Sequence, residues 1–154
     1  MSVSPVIKQD IELAYDQAKW AANMQHVLAR YASLSDATRM VIGNAKHISY
    51  GAEEQEGLLL YRSDKRHAPV VIFVHGGGWR SGSAKDFIFP AEMLLGAGVH
   101  FIAIDFFTIS EAKGNLRTMV DQVRRAIAWI FSNSDQFGGD RSRLYVVGPF
   151  DALG

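Results

Sequence analysis

A chain of 154 residues, 48% hydrophobic and 21% charged, holds apolar material for one ordinary core and not obviously for two, so one domain or part of one is expected. Its 16 Lys and Arg residues balance 16 Asp and Glu residues without concentrating anywhere, which argues against nucleic acid or an anionic membrane surface as partner. There is no cysteine and the five histidines (His26, His47, His67, His75, His100) are scattered, so disulfides, thiol chemistry, a metal site and a cofactor are not expected.

The opening stretch, "MSVSPVIKQDIELAYDQ", lacks a basic segment followed by an apolar run. No later run approaches the roughly 20 apolar residues of a bilayer span, so the cytoplasm is the expected location. From Asp10 to Tyr31 the residues Ile11, Leu13, Ala14, Ala18, Ala21, Ala22, Val27, Leu28 and Tyr31 fall at mostly helical intervals, predicting an amphipathic helix interrupted near Asn23. "SLSDATRM" carries a helix-start pattern and predicts a short second helix. Together they make residues 1–44 an N-terminal helical segment ahead of a core spanning 45–154. Next, "KHISYG" and "GLLLYRS" flank the acidic "AEEQE", which predicts an antiparallel hairpin.

The texture then changes. "PVVIFVH" is apolar on both faces, as expected of a strand buried within a parallel sheet. "SAKDFIFPAEMLLGAG" predicts a helix that Pro90 forces to begin late, kink or restart. "VHFIAIDF" is a second buried strand. In "NLRTMVDQVRRAIAWIFSNSDQFGGD", Leu116, Met119, Val120, Val123, Ala126, Ile127, Ile130 and Phe131 form one helical stripe opposite Arg117, Asp121, Arg124 and Arg125. "RLYVVG" is the last strand. Strand, helix, strand, helix, strand implies an α/β fold with right-handed crossovers and helices covering a parallel sheet.

Chemistry concentrates in "VIFVHGGGWRSGS", where three glycines follow a buried strand. Such a turn can point backbone N–H groups into the crevice at the carboxyl end of the sheet, where an anion is the natural guest. The phosphate-loop pattern fails because Ser83 stands where lysine is needed, and the dinucleotide pattern from Gly76 reaches Ser81 instead of its third glycine. The remaining anion is the oxyanion of acyl transfer, for which each preorganised donor is worth on the order of 3–4 kcal/mol.

His75-Gly76-Gly77-Gly78-Trp79, together with "MVDQVRRAIAWIFSNSDQFGGDRSRLYVVG" and "AYDQAKWAANMQHVLARYA", resembles the N-terminal half of α/β-hydrolase esterases, in the branch of arylformamidase (kynurenine formamidase)-like enzymes. That resemblance implies an oxyanion hole from the backbone N–H groups of Gly77 and Gly78, with Gly76 shaping the turn. It gives His75 a bracing role, the family's catalytic histidine lying nearer the C-terminus. Trp79 walls a pocket or covers the loop. Asp105, at a strand end in the same crevice, is read as a loop brace, and Ser81, Ser83 and Ser110 as structural.

The family's nucleophile occupies Gly-x-Ser-x-Gly after the fifth strand. Here Gly148 fits the first glycine, Phe150 takes the serine position with Pro149 before it, and Ala152 replaces the second glycine. The resemblance therefore implies a hydrolase of carboxylic esters or aryl amides whose chain here stops after the fifth strand, without nucleophile or triad and inactive alone. The alternative is a noncatalytic α/β module binding a small acyl or aromatic ligand or a partner chain. A fifth strand left at the sheet margin would invite self-association and marginal stability.

Overall fold

The computed structural model describes residues 21–149. Its first helix, α1 (Met24–Ile42), starts where a break was expected, with Asn23 as N-cap. Residues 10–20 of the predicted helix lie outside the described residues. "SLSDATRM" does not begin a second helix, because α1 runs straight through it. Both serines find partners that leave the helix intact: Ser33 Oγ donates to the Arg30 carbonyl, and the buried Ser35 Oγ accepts from the N–H groups of Ile88 and Phe89 at 3.0 and 3.2 Å. A tertiary contact has overridden a local capping signal.

The strands β1 (Lys46–Ser49) and β2 (Gly57–Tyr61) form the predicted antiparallel hairpin. β3 (Ala68–Val74), β4 (His100–Ile104) and β5 (Gly139–Val147) run parallel to one another, and β2 joins them antiparallel to β4. The order β1-β2-β4-β3-β5 makes a mixed sheet with β3 internal. The last strand starts at Gly139, four residues before "RLYVVG".

Pro90 divides the stretch after the glycine loop into a 3-10 turn (Ala84–Phe87) and a six-residue helix, α2 (Ala91–Gly96), for which it serves as N-cap. The crossover from β4 to β5 is α3 (Leu116–Asn133), whose N-cap Asn115 side chain accepts from the Arg117 N–H at 3.0 Å.

Strand alternation sorts the core into two layers. Val70, Ile72 and Val74 face the side covered by Met119, Ala126 and Ile130 of α3, and Val71 and Phe73 face Ala84, Ile88 and Ala91. Truncating a side chain such as Ile130 to alanine would cost about 2–5 kcal/mol. The stripe on α3 is wider than the surface that covers it: Leu116, Val120 and Phe131 are 52%, 47% and 49% exposed. At the sheet margin Tyr145, Val146 and Val147 of β5 are also exposed. Among the described residues no helix is long and apolar enough to cross a membrane.

Candidate active site

The carboxyl ends of the adjacent parallel strands β3 and β4 deliver His75 and Asp105 side by side, the geometry that makes such crevices ligand sites. Beyond β3 the backbone folds over itself. Gly77 has φ +129° and Gly78 φ +58°, and the Gly77 carbonyl accepts from the N–H groups of Arg80 and Ser81 at 3.1 and 3.2 Å. A Cβ on Gly77 would lie 1.9 Å from the Ser81 carbonyl oxygen, whereas one on Gly78 would meet nothing within 4 Å. Trp79 follows in the left-handed region at φ +64°, a costly conformation for a bulky residue. Its carbonyl accepts from the Ile109 N–H at 2.6 Å and its ring tilts against Phe106, which ties the loop down to the segment after β4.

His75 is 4% exposed. Its ring stacks on Phe106 at 4.4 Å and 12°, with Phe87 beyond at 5.8 Å. Nδ1–H donates to the Gly76 carbonyl at 2.9 Å, since a carbonyl can only accept. That leaves Nε2 buried, 3.7 Å from Asp105 Oδ1, too far for a hydrogen bond and without another partner among the described residues. Asp105 Oδ1 itself accepts from the Ala84 N–H at 2.7 Å, capping the 3-10 turn.

Behind Asp105 lies a polar support that the sequence pattern does not reveal. Tyr50 OH donates to the Asp105 carbonyl at 2.6 Å, and the Tyr50 N–H donates to the Glu56 carbonyl. The buried Glu56 carboxylate accepts from the N–H groups of Ala52 and Glu53 and pairs with Arg125 of α3. Burial pushes the Glu56 pKa up, but the bonds from Arg125 and the backbone outweigh it and hold the group below its ordinary 4.5. Burial, reinforced by Glu56, drives the Tyr50 phenol well above its usual range, so it remains a donor. The "AEEQE" stretch reads as a solvated turn, and only its last acid turns inward.

Of the residues singled out in the sequence, His75, Gly76, Trp79 and Ser81 come together around a cavity of about 10 Å³, closed by Phe106, Phe107 and Thr108. That is room for about one water molecule. Ser81 is exposed with Oγ 3.5 Å from the Gly77 carbonyl, while the carbonyls of Ser83 and Ser110 close local turns to Asp86 and Lys113. None of the three bonds to His75 Nε2. Phe150, Asp151 and Ala152 lie outside the described residues. Gly148 and Pro149 before them border a second pocket of about 260 Å³, lined by Tyr31, Phe73, Phe87, Phe89 and Val147. Tyr31 stacks on Phe89 there at 5.4 Å. Among the described residues no group of three or more His, Asp or Glu side chains could hold a metal ion.

The family model for BD-FAE matches residues 58–150, from β2 through β5. This chain belongs to the BD-FAE family. Kynurenine formamidase of Danio rerio is 29% identical over 149 residues, covering 92% of this chain and 49% of that protein. Esterase LipC of Mycobacterium tuberculosis is 34% identical over 107 residues, covering 67% of this chain and 26% of that one. A thermophilic esterase from Thermogutta terrifontis superposes with a TM-score of 0.65 at 22% identity, over 72% of this chain and 43% of its own. The fold is therefore that of the α/β-hydrolase esterases, as the sequence resemblance implies. This BD-FAE chain spans about half the length of the kynurenine formamidases it matches and about a quarter of Esterase LipC.

Proposed function

We propose that this BD-FAE chain carries the oxyanion-loop half of a serine hydrolase of small carboxylic esters or aryl amides, and that it is inactive by itself. One observation supports the reading above the others: three successive glycines directly after the internal parallel strand, two of them at positive φ, in a chain related to esterases and to kynurenine formamidase. In this reading the Gly77 and Gly78 N–H groups receive the developing oxyanion, and Gly76 shapes the approach. His75 is a brace rather than a base, because its one nitrogen free of the Gly76 bond is buried. Trp79 covers the loop. Phe150 stands at the serine position and offers no nucleophilic atom, a loss that typically removes several powers of ten in rate.

The test is incubation with a fluorophosphonate probe and intact-mass readout. The expected result is no adduct, and stoichiometric labelling of a serine would overturn the inactivity. A second reading, a noncatalytic module for a small acyl or aromatic ligand, is favoured by the aromatic-lined pocket of about 260 Å³ beside Gly148. Saturable quenching of tryptophan emission by formanilide or phenyl acetate, without labelling, would support it over the first.

A further inference from the structure

Gln122 is the polar member of the buried face of α3, between Met119 and Ala126, and none of its surface is exposed. An amide there is destabilising unless both of its ends are used. Its Oε1 accepts from the Phe107 N–H at 2.9 Å, which fixes the orientation of the group, because the NH2 end cannot face another donor. We propose that Gln122 is a positioning residue: its amide clamps the Phe107 backbone to the Glu56 carboxylate and so holds the Phe106 ring against His75 at the wall of the glycine-loop cavity.

Just past β4 the Asp105 N–H still donates to the Gly57 carbonyl at 2.9 Å, but two residues on the Phe107 N–H goes to Gln122 instead. Between them Phe106 stacks on His75 at 4.4 Å and tilts against Trp79 at 6.0 Å, while Phe107 and Thr108 border the cavity with His75, Gly76 and Trp79. Phe106 is thus pinned from both sides, by Tyr50 OH on the Asp105 carbonyl before it and by Gln122 on Phe107 after it. Nε2, turned away from Phe107, is buried without a hydrogen bond of ordinary geometry among the described residues, yet it lies near enough to Glu56 to act on that carboxyl. Burial raises the Glu56 pKa, and Arg125, the Glu53 N–H and the Gln122 amide together bring it below its ordinary 4.5. Glutamine alone supplies this reach with an acceptor at one corner and a donor at the other. Methionine would leave the Phe107 N–H without an acceptor, and glutamate would set a second carboxylate against Glu56. Every group involved lies between Tyr50 and Arg125. Calling the cavity part of an oxyanion site rests on the proposed function, whereas the clamp itself does not.

Nuclear magnetic resonance on the intact chain tests the clamp. In the unsubstituted protein the Phe107 amide should exchange with solvent at least about tenfold more slowly than that of Thr108, whose bond to Glu111 is exposed. Equal rates overturn the proposal. Gln122→Met should shift the His75 imidazole protons, which sit in the ring current of Phe106, whereas Ile130→Ala, a truncation on the same buried face of α3, should leave them in place. His75 signals that stay put in Gln122→Met, or that move as far in Ile130→Ala, would reduce Gln122 to core packing. Gln122→Glu probes the other end while keeping an acceptor for Phe107. The charged and titratable groups around the new carboxyl are Glu56 and Tyr50 of the hairpin turn, Arg125 of α3 and Asp105 after β4. At pH 7 two carboxylates then face each other and the variant should melt below the parent. Once the pair shares a proton it regains a donor and an acceptor, so the gap should narrow by pH 5. A gap that stays constant, or a variant as stable as the parent at pH 7, overturns the link to Glu56. The exchange rates and Gln122→Glu decide the matter even where Gln122→Met does not fold, and all these outcomes are independent of the fluorophosphonate result.

Discussion

Replacing Gly77 and Gly78 singly by alanine should separate two costs that a glycine loop usually confounds. At Gly78 the φ of +58° is in the left-handed region and a Cβ would have open space, so only the conformational penalty applies, about 1–2 kcal/mol. At Gly77 the φ of +129° carries a penalty of the same order, about 1–3 kcal/mol. There, in addition, the new Cβ would sit 1.9 Å from the Ser81 carbonyl oxygen where ordinary contact begins at 3.4 Å, so the backbone must open by about 1.5 Å. Opening it breaks the bonds from the Arg80 and Ser81 N–H groups to the Gly77 carbonyl, worth about 1 kcal/mol each. Gly77→Ala should therefore lose about 3–5 kcal/mol, the two broken bonds making it about 2 kcal/mol worse than Gly78→Ala at equal conformational penalty. Urea unfolding followed by far-UV circular dichroism, at one protein concentration for all variants, measures both. Equal losses within ~0.5 kcal/mol would refute the packed geometry assigned to this loop.

Other perturbations probe its supports. Ser35→Ala leaves the Ile88 and Phe89 N–H groups without their acceptor and should cost about 1–3 kcal/mol in the same unfolding assay, although it removes only one hydroxyl. Glu56 has a folded pKa below its ordinary 4.5, so its stabilisation is present above pH 4.5 and lost as the pH falls through the folded value. Glu56→Gln should flatten that acid limb in a plot of melting temperature against pH, and an unchanged limb would exclude the assignment. His100 is fully buried, with Nδ1 accepting from the Ser63 N–H at 3.0 Å, and burial lowers its pKa from the ordinary 6.5 against the pull of the Gly138 carbonyl. Its stabilisation is therefore present above pH 6.5 and lost as the pH falls from there through the folded value. His100→Asn, which keeps an acceptor for Ser63, should remove the slope between pH 7 and 5.

The strands were the most legible part of the fold, because their periodicity is set by burial on both faces: β3 and β4 stand where unbroken apolar runs place them. The helices were less so. Ser35 carries the same local signal whether it caps a new helix or receives two N–H groups from a distant turn, and only the tertiary contact decides. Leu116, Val120 and Phe131 fall on the apolar stripe of α3, yet a stripe says which face turns inward and not how much of it the sheet covers. At the candidate site the glycine turn was visible in the spacing alone. Asp105 was legible as a strand-end residue in the same crevice, and Phe106 could have been found by noting that the ends of β3 and β4 must meet, since "IDFF" follows one strand as "VHGGG" follows the other. Glu56 gave no such signal, because its two acidic neighbours in sequence, Glu53 and Glu54, have the same chemistry and differ only in direction.

The supports of the glycine loop share a property that bears on the proposed function. His75 is held by Phe106, Phe87 and the Gly76 carbonyl, Trp79 by Ile109 and Phe106, and Asp105 by Ala84, Tyr50 and, through Tyr50, Glu56 and Arg125. Every one of these residues lies between Tyr50 and Arg125, ahead of β5 in the chain. The turn, its strained tryptophan and its stacked histidine are therefore constrained by contacts made within that stretch of the chain. Preorganisation of an oxyanion site is a property of backbone placement and does not require the attacking group to be present. On the proposed function, a closed and braced glycine turn is therefore compatible with a chain that carries Phe150 at the serine position.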